Sequence, residues 1–139
     1  MKPYEFFDHT ADIGVHVNGA TLPELFTNAA QAMYQTLGEF KKSPTRDQKP
    51  VTMEASSVED LLHDWLSDLL YEVEANRLLY DEFEIHELAP PRLSATLRGG
   101  EIDFGQSQPN EEIKAVTYHQ LRVEQLPDKS WRATVIFDV

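Results

Sequence analysis

Apolar residues fall into two rhythms along this chain. Near its start, the aromatic residues at 4–7 precede Ile13, Val15 and Val17, which alternate with Gly14, His16 and Asn18. A period of two predicts a strand with one buried face. The rhythm then changes. Thr21-Leu22-Pro23-Glu24 predicts a helix start: Thr21 can cap, Pro23 suits a first turn, and Glu24 stands where a capping box needs its carboxylate. Leu25, Phe26, Ala29, Ala30 and Met33 continue at helical spacing, with Gly38 as the stop. A loop and a short extended run around Val51 and Met53 follow. Ser56-Ser57-Val58-Glu59 then opens the strongest helical pattern, predicted from Val58 to Asn76. Leu61, Leu62, Trp65, Leu66, Leu69, Leu70 and Val73 form its apolar stripe, opposite Asp60, Asp64, Asp68 and Glu74.

After Asn76 the period of two returns. Phe83 and Ile85 alternate, Pro90-Pro91 interrupts, and Leu93, Ala95 and Leu97 alternate again. Gly99-Gly100 reads as a hairpin turn before Ile102 and Phe104. Residues 106–110 are polar punctuation. Val116, Tyr118, Leu121 and Val123 predict one extended strand, and Pro127-Asp128-Lys129-Ser130 turns the chain into Trp131, Ala133, Val135 and Phe137. Two amphipathic helices on one face of a mainly antiparallel sheet make an α+β layer architecture. No linker divides residues 1–139, so one domain is expected.

Composition narrows the function. With 41% hydrophobic residues the chain can build a core, and with no cysteine it can form no disulfide, thiolate metal site or cysteine nucleophile. Twelve basic against 24 acidic residues leave a net charge of −12, which argues against direct, stable binding to nucleic acid. No stretch approaches a membrane span, and Met1-Lys2-Pro3-Tyr4-Glu5 has no signal-peptide character, so a soluble cytoplasmic protein is expected. The charge is uneven: residues 54–87 hold eleven acids and one base, Arg77. That segment is either a solvated helix face or a docking surface for a basic partner. Lys41, Lys42, Arg46 and Lys49 gather in a stretch read as an exposed loop.

Catalytic patterns are scarce. No serine sits in a G-x-S-x-G elbow, Gly99-Gly100 lacks the rest of a P-loop, and the five histidines form no H-x-x-x-H pair. His16, His63 and His86 read as polar-face residues, and His119 as a half-buried strand residue. Two places are rich in oxygen ligands. In Asp8-His9-Thr10-Ala11-Asp12, two carboxylates flank a hydroxyl and could serve a hard cation, although Asp and Thr also build turns by bonding their own backbone. At the other end, Asp138 stands beside the main-chain carboxylate of Val139, a local charge that a cation would neutralise.

These segments resemble the archeases, small acidic partners of the RtcB-type RNA ligase. The resemblance rests on Asp8-His9-Thr10-Ala11-Asp12-Ile13-Gly14, on Leu69-Leu70-Tyr71, on Glu112-Ile113-Lys114-Ala115-Val116-Thr117-Tyr118-His119, and on Val135-Ile136-Phe137-Asp138-Val139, in that order along the whole chain. It implies an α+β fold and a non-enzymatic protein that promotes guanylylation of the ligase and its multiple turnover in tRNA splicing and RNA repair. It also implies a divalent metal site of Asp12, Asp138 and Val139, with no catalytic residue. All-oxygen ligands suit Ca²⁺, the expected ion, or Mg²⁺, rather than zinc. Asp8 is expected to shape the turn or to stand behind the ligands rather than to bind the metal itself; Lys114 and His119 belong to the motif without an assigned role. Two alternatives come from other classes: a chaperone-like modulator of a tRNA methyltransferase, and a metal-dependent phosphoester hydrolase using Asp12 with His9 as general base.

Overall fold

The computed structural model describes residues 2–9, 11–44 and 47–139, the side chain of His9 excepted. In chain order the elements are β1 (Tyr4–His9), β2 (Asp12–Gly19), α1 (Leu22–Leu37), β3 (Gly38–Lys42), β4 (Asp47–Glu54), α2 (Val58–Asn76), β5 (Leu78–Ala89), β6 (Arg92–Pro109), β7 (Ala115–Val116), β8 (Arg122–Gln125) and β9 (Trp131–Asp138). Every ladder among the described residues is antiparallel, and the α+β class expected from the patterning stands. The strands divide between two sheets. One runs β1-β2-β9-β7, with β8 also on β9; the other runs β3-β6-β4, with β5 also on β6.

Both helices start and stop where their chemistry dictates. Thr21 accepts the Glu24 N–H at 3.2 Å and Ser57 accepts the Asp60 N–H at 3.1 Å, each satisfying a first-turn donor that the helix leaves orphaned. Glu24 returns the favour one residue early, accepting from the Ala20 N–H. Gly38 ends α1 at φ 144°, in the region that favours glycine, and Arg77 caps α2 in a left-handed conformation. The helices are shared by the two sheets. α1 packs on β2 and β9 of the first and on β3 and β5 of the second, while α2 meets β7 and β8 as well as β4 and β5. Hence α1 is buried on more than one side, at Leu25, Phe26, Ala29, Ala30, Ala32 and Met33. Trp65 lies at the centre, wholly buried, its indole N–H donating to the Phe26 carbonyl at 3.0 Å and its ring meeting Phe26 and Phe83. This burial of apolar surface is the main stabilising term.

Four local expectations are corrected. Gly99-Gly100 is not a turn but lies inside β6, where β5 crosses closely: a Cβ on Gly99 would sit 2.0 Å from the Leu79 carbonyl oxygen. The turn is at Pro90-Pro91, between the paired Ala89 and Arg92. Residues 106–109 continue β6 without apolar alternation: Gln108 and Pro109 pair with Glu39 and Gly38 of β3, and the Ser107 hydroxyl accepts the Lys41 N–H across an irregular step in the ladder. The basic stretch is strand rather than loop. Lys41 and Lys42 belong to β3, an edge strand on which charge is at home, and Lys49 belongs to β4; Arg46 lies outside the described residues. Lys49 reaches Glu72, a 5%-exposed carboxylate on α2, at 3.3 Å and Asp68 at 3.7 Å. Asn76 also donates to Glu72, at 3.0 Å. Finally, the single strand expected around Val116–Val123 is two short ones. The Thr117 N–H and hydroxyl both donate to the Ile136 carbonyl, and the hydroxyl also accepts the His119 N–H. That bend leaves Tyr118 and His119 in an exposed turn.

Candidate functional site

The β1–β2 hairpin closes tightly, with His9 paired to Asp12 and Ala11 in the left-handed region at φ 59°. Its arms are fixed by an aromatic ring laid over a glycine. Phe7 pairs with Gly14, and a Cβ on Gly14 would sit 2.3 Å from Phe7 Cζ. The Phe7 ring stacks on His16 at 4.5 Å, and His16 Nδ1 lies 3.1 Å from the Thr134 hydroxyl on β9. Desolvation first, then the Arg132 guanidinium, hold the His16 imidazole below its ordinary value of 6.5, against a smaller upward pull from Glu5.

The register of β2 on β9 brings distant parts of the chain together. Asp12 stands directly opposite Asp138. On its other side Asp138 pairs with Ala115, and its carbonyl accepts the Lys114 N–H at 2.7 Å. Val139 follows, partly buried against the core. Opposed positions on an antiparallel pair bring Cβ atoms within about 4.5–5.5 Å, close enough for two carboxylates to share a cation whose ligands lie at about 2.3–2.6 Å. Alternation puts Asp12 and Asp138 on the same side of the sheet as His16 and Thr134. Asp8, opposite Ile13, falls on the other side, with Tyr4, whose hydroxyl donates to Gln35 of α1. A cleft of about 460 Å³ opens beside the hairpin, bordered by Phe6, Asp8, Asp12, Gln35, Thr36 and Asn110.

The donor chemistry fits a hard divalent cation held by few protein ligands. Two facing carboxylates and a main-chain oxygen at Val139 fall short of the six to eight oxygens that Ca²⁺ takes, so such a site leaves coordination positions for water or another molecule. Among the described residues no group of three acidic or histidine side chains could by itself hold a metal. Thr10 and the imidazole of His9, considered in the sequence as a ligand hydroxyl and a base, lie outside the described residues. What sequence reasoning missed is the backbone tie from Lys114 to Asp138 and the aromatic cover over Gly14. The Phe-Phe and Ile-Gly neighbours carried a faint signal for the second, since an aromatic opposite a strand glycine is a known way of filling its gap.

Comparison with known proteins bears on the family and the fold. Residues 4–139 match the family model described as the Archease protein family. The chain is 37% identical over 142 residues to the protein archease of Methanosarcina acetivorans, covering 99% of this chain and 97% of that one. It is 32% identical to the protein archease of Pyrococcus abyssi, with all of both chains covered. Among solved structures, it resembles the solution structure of protein 1598 of Methanobacterium thermoautotrophicum, with a TM-score of 0.77 and 28% identity over the whole of both chains. It also resembles the crystal structure of an archease, titled a possible chaperone, from Thermotoga maritima, with a TM-score of 0.70 and 26% identity over 100% of this chain and 97% of that one. No helix among the described residues is long and apolar enough to cross a membrane.

Proposed function

The chain belongs to the archease family, and from that premise we propose that it is a non-enzymatic activator of an RtcB-type RNA ligase in the cytoplasm. In this reading it promotes guanylylation of the ligase and repeated turnover in tRNA splicing and RNA repair. The observation that carries the reading is the facing pair Asp12 and Asp138, set opposite each other by strand register at the ends of two inner strands of a sheet. With Val139 they would hold a divalent cation, Ca²⁺ before Mg²⁺, and the bound cation supplies positive charge with open coordination positions. The residues of this chain do the rest. Asp12 and Asp138 stand opposite each other in the ladder, the Lys114 N–H anchors the strand end that bears Asp138, and Phe7 over Gly14 keeps the hairpin from sliding. An acidic tip of this kind can enter a partner's nucleotide and metal site, where the incomplete ligand set is finished by groups of the partner.

The experiment is single-turnover guanylylation of the cognate ligase with and without this protein. Asp12→Asn and Asp138→Asn are expected to abolish the acceleration while leaving the protein folded. Full acceleration by both folded variants would refute the site. A second reading, favoured by the possible-chaperone title of the Thermotoga maritima relative, is a chaperone-like modulator of a tRNA methyltransferase. Solubility of that enzyme on co-expression discriminates it. The hydrolase reading gains no support from the cleft beside Asp12, none of whose lining residues is a lysine or arginine that would bind a phosphate.

A further inference from the structure

Among the described residues, four large apolar side chains are exposed: Phe6, Tyr71, Phe104 and Tyr118. Phe104 is covered on one face by the Arg77 guanidinium at 4.6 Å and touched at its edge by Phe40. Tyr71 and Tyr118, at 60% and 61% exposure, project furthest. Both lie near one stripe of charge. Positions 60, 64, 67 and 71 fall on a single line along α2, about 16 Å from end to end at 1.5 Å per residue. Tyr118 joins that line from the bend after β7. Its ring stacks on His63 at 4.0 Å, and partial desolvation, followed by the charges of Asp64 and Asp60, raises its phenol above the ordinary range. His63 is itself held by the Val116 carbonyl at 2.9 Å.

The acids of α2 are not equivalent. Asp68 and Glu72 are matched by Lys49, and Glu59 accepts the Val123 N–H at 3.2 Å, so these three serve the fold. Among the described residues, no lysine or arginine pairs with Asp60 or Asp64; Asp64 lies 3.1 Å from His63 Nδ1. We propose that this face of α2, with Tyr71 and Tyr118 as anchors and Asp60 and Asp64 as its charges, docks an arginine-bearing surface of the protein partner. The inference rests on the preceding reading that such a partner exists. Charge complementarity selects the occupant. A guanidinium stacks on a tyrosine ring and forks to a carboxylate at once, and tyrosine and arginine are the residues that dominate interface energies. A nucleic acid would be repelled by the −12 chain, and a second copy related by a two-fold axis would bring this acidic face against itself.

The test is titration of wild type and variants against the cognate ligase at about 50 and about 300 mM salt. Tyr71→Ala with Tyr118→Ala is expected to raise Kd about tenfold or more, the mark of a lost hot spot. Tyr118→Phe keeps the stack on His63 and should stay within about twofold. Asp60→Asn with Asp64→Asn should slow association and flatten the salt dependence. At saturating concentration the tyrosine variant should regain guanylylation, whereas Asp12→Asn should fail to activate however much of it is added. Should the double alanine variant melt early, Tyr71→Ala alone, at an exposed helical position, remains decisive. Folded tyrosine variants that bind like wild type overturn the docking face and leave the metal tip standing. A wild-type protein that binds without activating removes the activator reading and leaves the docking face standing, and one that does not bind removes both.

Discussion

Lys49 offers the sharpest check on how α2 is held. Replacing it by methionine keeps most of the aliphatic stem but deletes the cation 3.3 Å from Glu72 and 3.7 Å from Asp68. Two unit charges at 3.3 Å interact with about 5 kcal/mol at an effective dielectric of 20 and about 1.3 kcal/mol in bulk water. Lys49 is one-third exposed, so solvent screens the pair, and the Asn76 amide still donates to the abandoned carboxylate. Removal of one partner from a fully buried pair costs about 3–5 kcal/mol; the exposure and the remaining donor bring the expectation here to about 2 kcal/mol. For a chain of this size that lowers Tm by roughly 6–10 °C. The assay is thermal unfolding of Lys49→Met, Glu72→Gln and the double variant. Because glutamine carries no charge, the double variant should recover at least about 1 kcal/mol of the loss, a coupling typical of residues in contact. Asp64→Asn, at an exposed position with no buried partner, should change little. A Lys49→Met variant within about 2 °C of wild type, or a cost unchanged by Glu72→Gln, would refute the reasoning, and with it the separation of structural from docking acids on α2.

Two further outcomes follow from the hairpin and the strand crossing. His16 sits below 6.5 in the folded protein, so the native state favours the neutral ring: its contribution is present above pH 6.5 and is lost as the pH falls below it. Tm of the wild type should therefore decline between about pH 6.5 and 5 more steeply than Tm of His16→Gln, and parallel profiles would contradict the assignment. Gly99→Ala places a methyl group 2.0 Å from the Leu79 carbonyl oxygen, a main-chain atom that cannot swing aside. The expected loss is about 3 kcal/mol, read by urea unfolding, and a near-neutral variant would show that β5 and β6 can separate there at no cost.

Local physics made much of this protein legible from its sequence. Both helices begin at their capping hydroxyls, Thr21 and Ser57, and α1 gives way at Gly38, because orphaned N–H groups, the proline at position 23 and a glycine-favouring φ act within a few residues of one another. The apolar stripe of α2 likewise emerges as the buried Leu61, Leu62, Trp65, Leu66, Leu69, Leu70 and Val73. The four motifs also sufficed to place the chain in its family. Long-range pairing was beyond that reach. Nothing near Lys49 announces a buried carboxylate on a helix some twenty residues later, and the pattern of residues 106–109 cannot reveal a strand whose hydrogen bonds go to a backbone. Gly99-Gly100 has the composition of a turn; only the approach of Leu79 shows that it is a crossing. Most of all, Asp12 and Asp138 are separated by nearly the whole chain. Each is an ordinary polar residue beside a turn or at a strand end. The register of β2 on β9, fixed by burial of Val15 and Val17 against Val135 and Ala133, is what sets them face to face, because a slip of one residue would turn every one of those side chains to the opposite side of the sheet.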